Sequence, residues 1–342
     1  MELHRAKDFR TYFLAIIPVV LSVIAFILNA IYTIIQIKAY RTESSGYRKR
    51  YCFLLSRSLS TLMALILLYI VIIVWKSGGF QYATAMIFMF VGCLSFLSIA
   101  GTYIALSCLL YTAIVHPIVY KVDVTLRYCY YCVIGVWVFS LAASVCVGLW
   151  GATLFYPDSS PVKCSFRSCQ KPLSIVIVIS LAIWFSSVQI IYAFLWVRLR
   201  NRHNKATIER QSTVISSDSH VSSSLRAMNR LSLNMITFAV GSVPILIVCI
   251  VALANLKKLS SLGEGKKSHC KTYLNSCLFI QVEILASIAA IVWLLAMILD
   301  PIINTTADRK LIAILASWWK SVKKLLCAKD QTDSAIVSTS SS

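Results

Sequence analysis

The stretch that decides the fold is Leu294-Leu-Ala-Met-Ile-Leu-Asp-Pro-Ile-Ile-Asn304. It sets a carboxylate, Asp300, directly before a proline, inside sequence that otherwise suits lipid. A charge at that depth costs about 2.5–3.5 kcal/mol even on a lenient insertion scale, so it faces a bundle interior and has a task. Pro301 brings no N–H, which leaves the Met297 carbonyl without its helical partner and predicts a kink. A charged, kinked point in a membrane helix reads as a moving part.

Composition supports the membrane. The chain of 342 residues is 58% hydrophobic and only 13% charged, too few charges to coat a soluble domain. Its net charge of +20 sits in short clusters between apolar runs, which is a loop pattern and excludes a nucleic-acid binder. No histidine falls in an apolar run, so an intramembrane zinc hydrolase is excluded and no metal or cofactor is implied. Cys52, Cys93, Cys108, Cys129, Cys132, Cys146 and Cys249 read as small buried hydrophobes. Cys129-x-x-Cys132 has no second pair near it in sequence.

Seven runs are long enough to span: residues 11–37, 51–75, 81–114, 128–155, 173–197, 231–254 and 273–303. The expected organisation is an outer stub over 1–10, a bundle over 11–303, a juxtamembrane helix over 304–327 and a disordered tail over 328–342. Leu311, Leu315, Trp318, Val322 and Leu325 recur at three and four, interleaved with lysines. That pattern predicts a basic amphipathic surface helix with Cys327 placed for acylation. The segment from Arg198 to Arg230 reads as a polar, mobile loop. Arg57, near the start of the second span, is expected to snorkel to the interface.

With the N-terminus outside, inner segments hold 21 of the 33 Lys and Arg and outer segments 12. That bias favours an outer N-terminus and an inner C-terminus, in the plasma membrane. Cys164, Cys169 and Cys270 then lie on the oxidising side as disulfide candidates whose pairing sequence leaves open. Glu283 lies 17 residues before Asp300, about 25 Å along a helix, near the outer mouth. It is a candidate ligand contact, with a loop lysine or interfacial water as the plainer partners. Gly241 and Pro244 make a bendable point in the sixth span.

The order of these features resembles the rhodopsin-like G-protein-coupled receptors. Asn29 is similar to that family's polar anchor in the first span. Tyr111-Thr-Ala-Ile-Val-His116-Pro117-Ile-Val-Tyr120 resembles the close of its third span. Trp137 is similar to the fourth span's tryptophan, and Phe238 with Pro244 to the sixth span's aromatic-and-proline switch. Asp300-Pro301-Ile-Ile-Asn304 resembles the last span's Asn/Asp-Pro-x-x-Tyr motif. The departures are as specific. Leu109-Leu110-Tyr111 replaces the acidic-Arg-Tyr triplet, the second-span aspartate is absent with Ser60 or Thr61 near its place, and Ser242 takes the tryptophan position. So eroded a pattern is similar to the divergent serpentine chemoreceptors of nematodes.

The resemblance implies an all-α seven-helix bundle and a receptor rather than an enzyme. It implies a small extracellular ligand bound among the helices and a heterotrimeric G protein inside. It further implies a latch of Asp300, Pro301, Asn304, Asn29, Ser60 and Thr61, and a hinge at Phe238, Gly241 and Pro244. The implied inner face holds Tyr111, His116, Pro117, Tyr120, Arg226 and Arg230. The competing classes are a transporter or channel and a non-coupling accessory receptor. Against transport stand the lack of an internal repeat and the presence of only two acidic residues within the spans.

Overall fold

The computed structural model describes residues 16–42, 45–76, 82–155, 169–211, 218–255, 269–306, 308 and 310–320. The described elements are all helices. They are α1 (Ile17–Thr42), α2 (Ser45–Lys76), α3 (Tyr82–Val115), the short α4 (Pro117–Val122) and α5 (Leu126–Phe155). After them come α6 (Lys171–Gln211), α7 (Asp218–Ala254), α8 (His269–Thr306) and α9, residues 310–320. Seven of them (α1, α2, α3, α5, α6, α7 and α8) contain a segment long and apolar enough to cross a membrane. In hydrocarbon no water is at hand for backbone N–H and C=O groups, so the chain satisfies them within each segment.

Polarity is distributed as lipid requires. The outer surfaces carry large apolar side chains such as Ile34, Ile73, Ile183 and Ile190, whereas Ser22, Asn29, Gln36, Arg57, Ser60, Ser98, Asn234 and Asn304 are buried. The helices close a ring in which α8 returns to α1, and α3 runs through it in contact with α2, α5, α6 and α7. Small hydroxyls let the first three spans and α5 approach one another. Ser98 Oγ donates to Ser60 Oγ at 2.7 Å, and Trp137 Nε1 donates to Ser56 Oγ at 2.9 Å.

Helices α3 and α5 approach closely, and glycine permits it. A Cβ on Gly148 would sit 2.9 Å from Phe90 Cβ and 3.2 Å from the Met86 carbonyl oxygen. A Cβ on Gly101 would sit 2.7 Å from Val136 Cγ1. Two expectations change here. The polar segment between the fifth and sixth spans is largely helical, since α6 continues to Gln211 and α7 begins at Asp218. Once a span has formed the helical nucleus, each further residue adds a hydrogen bond at little extra cost. Cys108 and Cys146 are exposed on the bundle surface rather than buried.

The amphipathic stripe after the last span also begins differently. Leu311 is fully buried among Tyr32, Ile35, Ala39, Tyr51 and Leu54, with Leu315 packed beside them, so the head of α9 rests on protein. Asp308 fixes that junction. Its Oδ1 accepts the Lys310 N–H at 3.1 Å, its Oδ2 accepts from Tyr51 Oη at 3.4 Å, and Arg50 Nη1 stands 3.2 Å from Oδ2. Trp319 is exposed. Val322, Leu325 and Cys327 lie outside the described residues.

A methyl at Gly148 must displace backbone, and overpacking of this kind costs about 1–3 kcal/mol. Gly148→Ala is therefore expected to lower the melting temperature of the detergent-solubilised protein. Gly135→Ala, where an added Cβ meets nothing within 4 Å, is expected to leave it unchanged or raise it.

Candidate functional site

Asp300 sits in the last turns of α8, and the bundle has brought it a cation. Arg57 Nη2 of α2 lies 2.9 Å from Asp300 Oδ2, with the arginine side chain 2% and the aspartate side chain 15% exposed. This overturns the expectation that Arg57 snorkels to the interface. Its side chain turns inward because the carboxylate offers more than a distant headgroup layer. The contact is an ion pair without the alignment of a hydrogen bond, and none of the three guanidinium nitrogens has a hydrogen-bond partner among the described residues. The guanidinium instead lies over the Tyr103 ring, 5.1 Å from its centroid. A cation against an aromatic face gains about 2 kcal/mol when desolvated.

Tyr103 holds the other carboxylate oxygen. Its Oη donates to Asp300 Oδ1 at 3.4 Å, a long bond from α3. Asn304 Nδ2, one turn beyond the aspartate, donates to Oδ1 at 3.1 Å and to the Asp300 carbonyl at 2.8 Å. The same amide forms a reciprocal pair with Asn234 of α7, at 2.9 Å and 3.1 Å. Aromatic contacts complete the tie to α7: the Phe238 ring lies tilted 5.2 Å from that of Tyr103 and stacked 5.9 Å from that of Phe96. One carboxylate thus gathers α2, α3 and α8 directly, and α7 through two neutral links.

The other candidate latch residues do other work. Asn29 Nδ2 donates to the Met297 carbonyl at 3.0 Å, the group that Pro301 deprives of its helical donor, and to Ala25 O at 2.8 Å. Ser60 donates to Ser56 O and Thr61 to Arg57 O, each one turn back on α2. Among the described residues, Asn29, Ser60 and Thr61 bond to backbone carbonyls, and the side chains gathered at the Asp300 carboxylate are Arg57, Tyr103 and Asn304, with Asn234 bonded to Asn304. Short hydroxyls on a helix find their own carbonyls first.

Helix α7 runs unbroken through Pro244. Gly241 serves close packing: a Cβ there would meet Ala296 Cβ of α8 at 2.8 Å. At the end of the bundle that carries α4, the Tyr111 and His116 rings meet edge to face. Lys49 of α2 donates to the Tyr120 carbonyl at 3.3 Å and lies 4.5 Å from the Tyr120 ring centroid. Burial pushes the Tyr120 phenol above its ordinary range. At the opposite end Cys169 is disulfide-bonded. Cys164 and the side chains of Pro117, Arg226, Arg230, Cys270 and Glu283 lie outside the described residues. Among the described residues, no group of three or more His, Cys, Asp or Glu side chains is placed to hold a metal ion.

Arg57, Tyr103 and Asn234 are the members that the pattern of motifs did not mark. A signal for Arg57 was present: it is the one Lys or Arg between Arg50 and Lys76, about 10 Å along the helix from Arg50. A deep carboxylate demands a cation, and Arg57 was the available one. Tyr103 and Asn234 carry no such signal, since a single tyrosine or asparagine in an apolar run has many uses.

With this geometry in view, three comparisons bear on the chain. A family model described as 7 transmembrane receptor (rhodopsin family) matches residues 28–303. The chain is 27% identical over 184 residues to the "Putative G-protein coupled receptor B0244.7" of Caenorhabditis elegans, a match covering 54% of this chain and 57% of that relative. It thus spans just over half the length of that relative. It is 26% identical over 309 residues to the "Putative G-protein coupled receptor B0244.5" of the same organism, covering 90% of this chain and 81% of the relative.

Removing one partner of a buried ion pair strands the other charge and costs about 3–5 kcal/mol, whereas replacing both with apolar groups costs far less. Arg57→Met and Asp300→Leu are each expected to destabilise the detergent-solubilised protein by that order. The double variant is expected to recover most of the loss in thermal unfolding. Additive losses would show that the pair is uncoupled.

Proposed function

Because the chain belongs to the rhodopsin family of seven-transmembrane receptors, we propose that it is a chemosensory receptor of the plasma membrane that takes a small extracellular ligand among its helices. The N-terminus lies outside and the C-terminus inside, the orientation that the Lys and Arg bias favours. A ligand that binds one packing of the bundle better than another shifts the population toward it, and a heterotrimeric G protein reads the result at the α4 end. The inner reading surface is formed by Tyr111, His116, Pro117 and Tyr120 with Arg226 and Arg230 of α7. Glu283, near the outer end of α8, is the candidate polar contact for the ligand.

The observation that carries this reading is the junction at Asp300. It holds α2, α3 and α8 through a charge, and holds α7 through the Asn304–Asn234 and Phe238–Tyr103 contacts alone. A bundle so tied can shift α7 while α2, α3 and α8 keep their anchor. Leu110 stands where the family carries an arginine, so coupling runs through other inner-face residues. That same substitution supports one second reading, an accessory receptor that assists a coupled partner.

The test is expression of the full chain with a surface tag in cells reporting calcium and cyclic nucleotides, screened with small molecules. A responsive compound is expected, and Asn234→Ala, which removes one tie to α7, is expected to raise basal signalling or lower the required concentration several-fold at equal surface density. Unchanged signalling in that variant would remove the junction from the mechanism. Silence of the wild type at confirmed surface density, across the screen, would favour the accessory reading. Current or uptake without G protein would favour transport.

A further inference from the structure

The mouth of α5 carries Leu126-Arg-Tyr-Cys129-Tyr-Tyr-Cys132, whose two cysteines lie one turn apart on one face. Their neighbours come from other helices. The contacts of Gly101 with Val136 and of Gly148 with Phe90 set α3 and α5 antiparallel and in register. Two turns from Gly101 toward the α4 end is Cys108; two turns from Val136 in the same direction is Cys129, and one turn is Cys132. Two turns return a helix nearly to the same face. Cys108 therefore faces α5 at the depth of the Cys129–Cys132 turn. The Trp137–Ser56 hydrogen bond sets α2 alongside α5 and puts Cys52 level with Val133. Four thiols from three helices thus share one depth.

All four are free. Cys108 and Cys132 lie within electrostatic reach of one another, as do Cys132 and Cys129, and Cys129 and Cys52. No three are placed to share a metal ion, so the arrangement is one of pairs. Access distinguishes them. Cys52 and Cys129 are buried, Cys132 is half-buried and Cys108 is exposed on the bundle surface. The pair with a side open to the bilayer, where a membrane-permeant peroxide can reach it, is the one that joins α3 to α5.

We propose that Cys108 and Cys132 form a site of reversible oxidation, at which a hydroperoxide draws the two thiols into a disulfide tying α3 to α5. The sulfur of Cys108, as thiolate, attacks the outer peroxide oxygen. The O–O bond breaks, leaving a sulfenic acid, and the other oxygen departs as water or an alcohol with the thiol's proton. The sulfur of Cys132 then attacks the sulfenic sulfur, the S–S bond forms, and water leaves with the second proton. Two thiols lose two electrons between them, and the peroxide takes both. A disulfide holds its Cα atoms about 4.4–6.8 Å apart. The link therefore fixes both helices that flank α4, the element Lys49 already holds by the Tyr120 carbonyl.

The experiment uses the full chain in lipid nanodiscs, with a protease site inserted between Asp123 and Thr125 and hydrogen peroxide as the oxidant. After oxidation, alkylation of the remaining thiols and cleavage, a non-reducing gel reads whether the two fragments stay joined. They are expected to stay joined until reductant is added. The joined fraction is expected to fall at least about tenfold in Cys108→Ser and in Cys132→Ser, and to persist in the Cys52→Ser/Cys129→Ser variant. Separated fragments in the oxidised wild type would overturn the proposal, as would joined fragments in Cys108→Ser. Mass spectrometry of peptides from the oxidised wild type guards against a variant that fails to fold. A Cys108–Cys132 linkage supports the site, and a Cys129–Cys132 or Cys52–Cys129 linkage in its place overturns it.

Discussion

A carboxylate and a guanidinium at membrane depth can exist together far more cheaply than apart. Each alone carries a desolvation penalty of several kcal/mol, and at 2.9 Å each supplies most of what the other lost to water. That requirement fixes the relation of α2 to α8, because Arg57 and Asp300 have no comparable alternative in hydrocarbon. It also fixes α3, since the Tyr103 ring lies under the guanidinium and its hydroxyl meets the carboxylate. Elsewhere the helices meet through apolar packing, close approaches at glycine and single neutral hydrogen bonds. At this junction the register of α2, α3 and α8 is set.

Around it, the bundle spends small polar groups on backbone. Asn29 gives its amide to the Met297 carbonyl that Pro301 leaves open, so the proline is tolerated one residue after the aspartate. Ser60, Thr61, Ser107 and Thr102 each return a hydroxyl to a carbonyl one turn back. Such bonds leave no polar group stranded and contribute little to choosing between packings. The choice falls to contacts that cross between helices, and glycine governs how near those helices come. Gly148 and Gly101 set the α3–α5 distance, and Gly241 sets that between α7 and α8.

Seven spans, a proline inside α8 and the inward placing of Asp300 were legible because each rests on a local property: an apolar run, a residue without an N–H, a charge in the wrong solvent. The partner was not legible in the same way. Arg57 lies close enough to the basic hinge to read as an interfacial residue, and only the carboxylate that the fold brings to it from α8 turns it inward. Tyr103 and Asn234 were invisible for a further reason, since their meaning comes from three helices meeting. Helix α9 shows the same limit: the periodicity of Leu311, Leu315 and Trp318 is real, yet Leu311 serves protein and not lipid. The thiols of α5 lacked a second pair in sequence because their partners, Cys108 and Cys52, are supplied by other helices.

Relative strength also ranks which helix yields first. The contacts joining α2, α3 and α8 involve charge in a medium of low dielectric, and breaking them strands an ion. Those joining α7 are neutral: an amide pair worth on the order of 1 kcal/mol and an aromatic contact of about 0.5–1.5 kcal/mol. A free-energy difference of a kcal/mol or two is of the order of contacts of the second kind and too little to break the first. At Gly241 α7 comes close against α8, with Ala296 and the Trp293 ring beside it. The charge that Leu110 omits from α3 is therefore not simply missing from the bundle. A buried arginine stands deeper, on α2, paired with the carboxylate of α8.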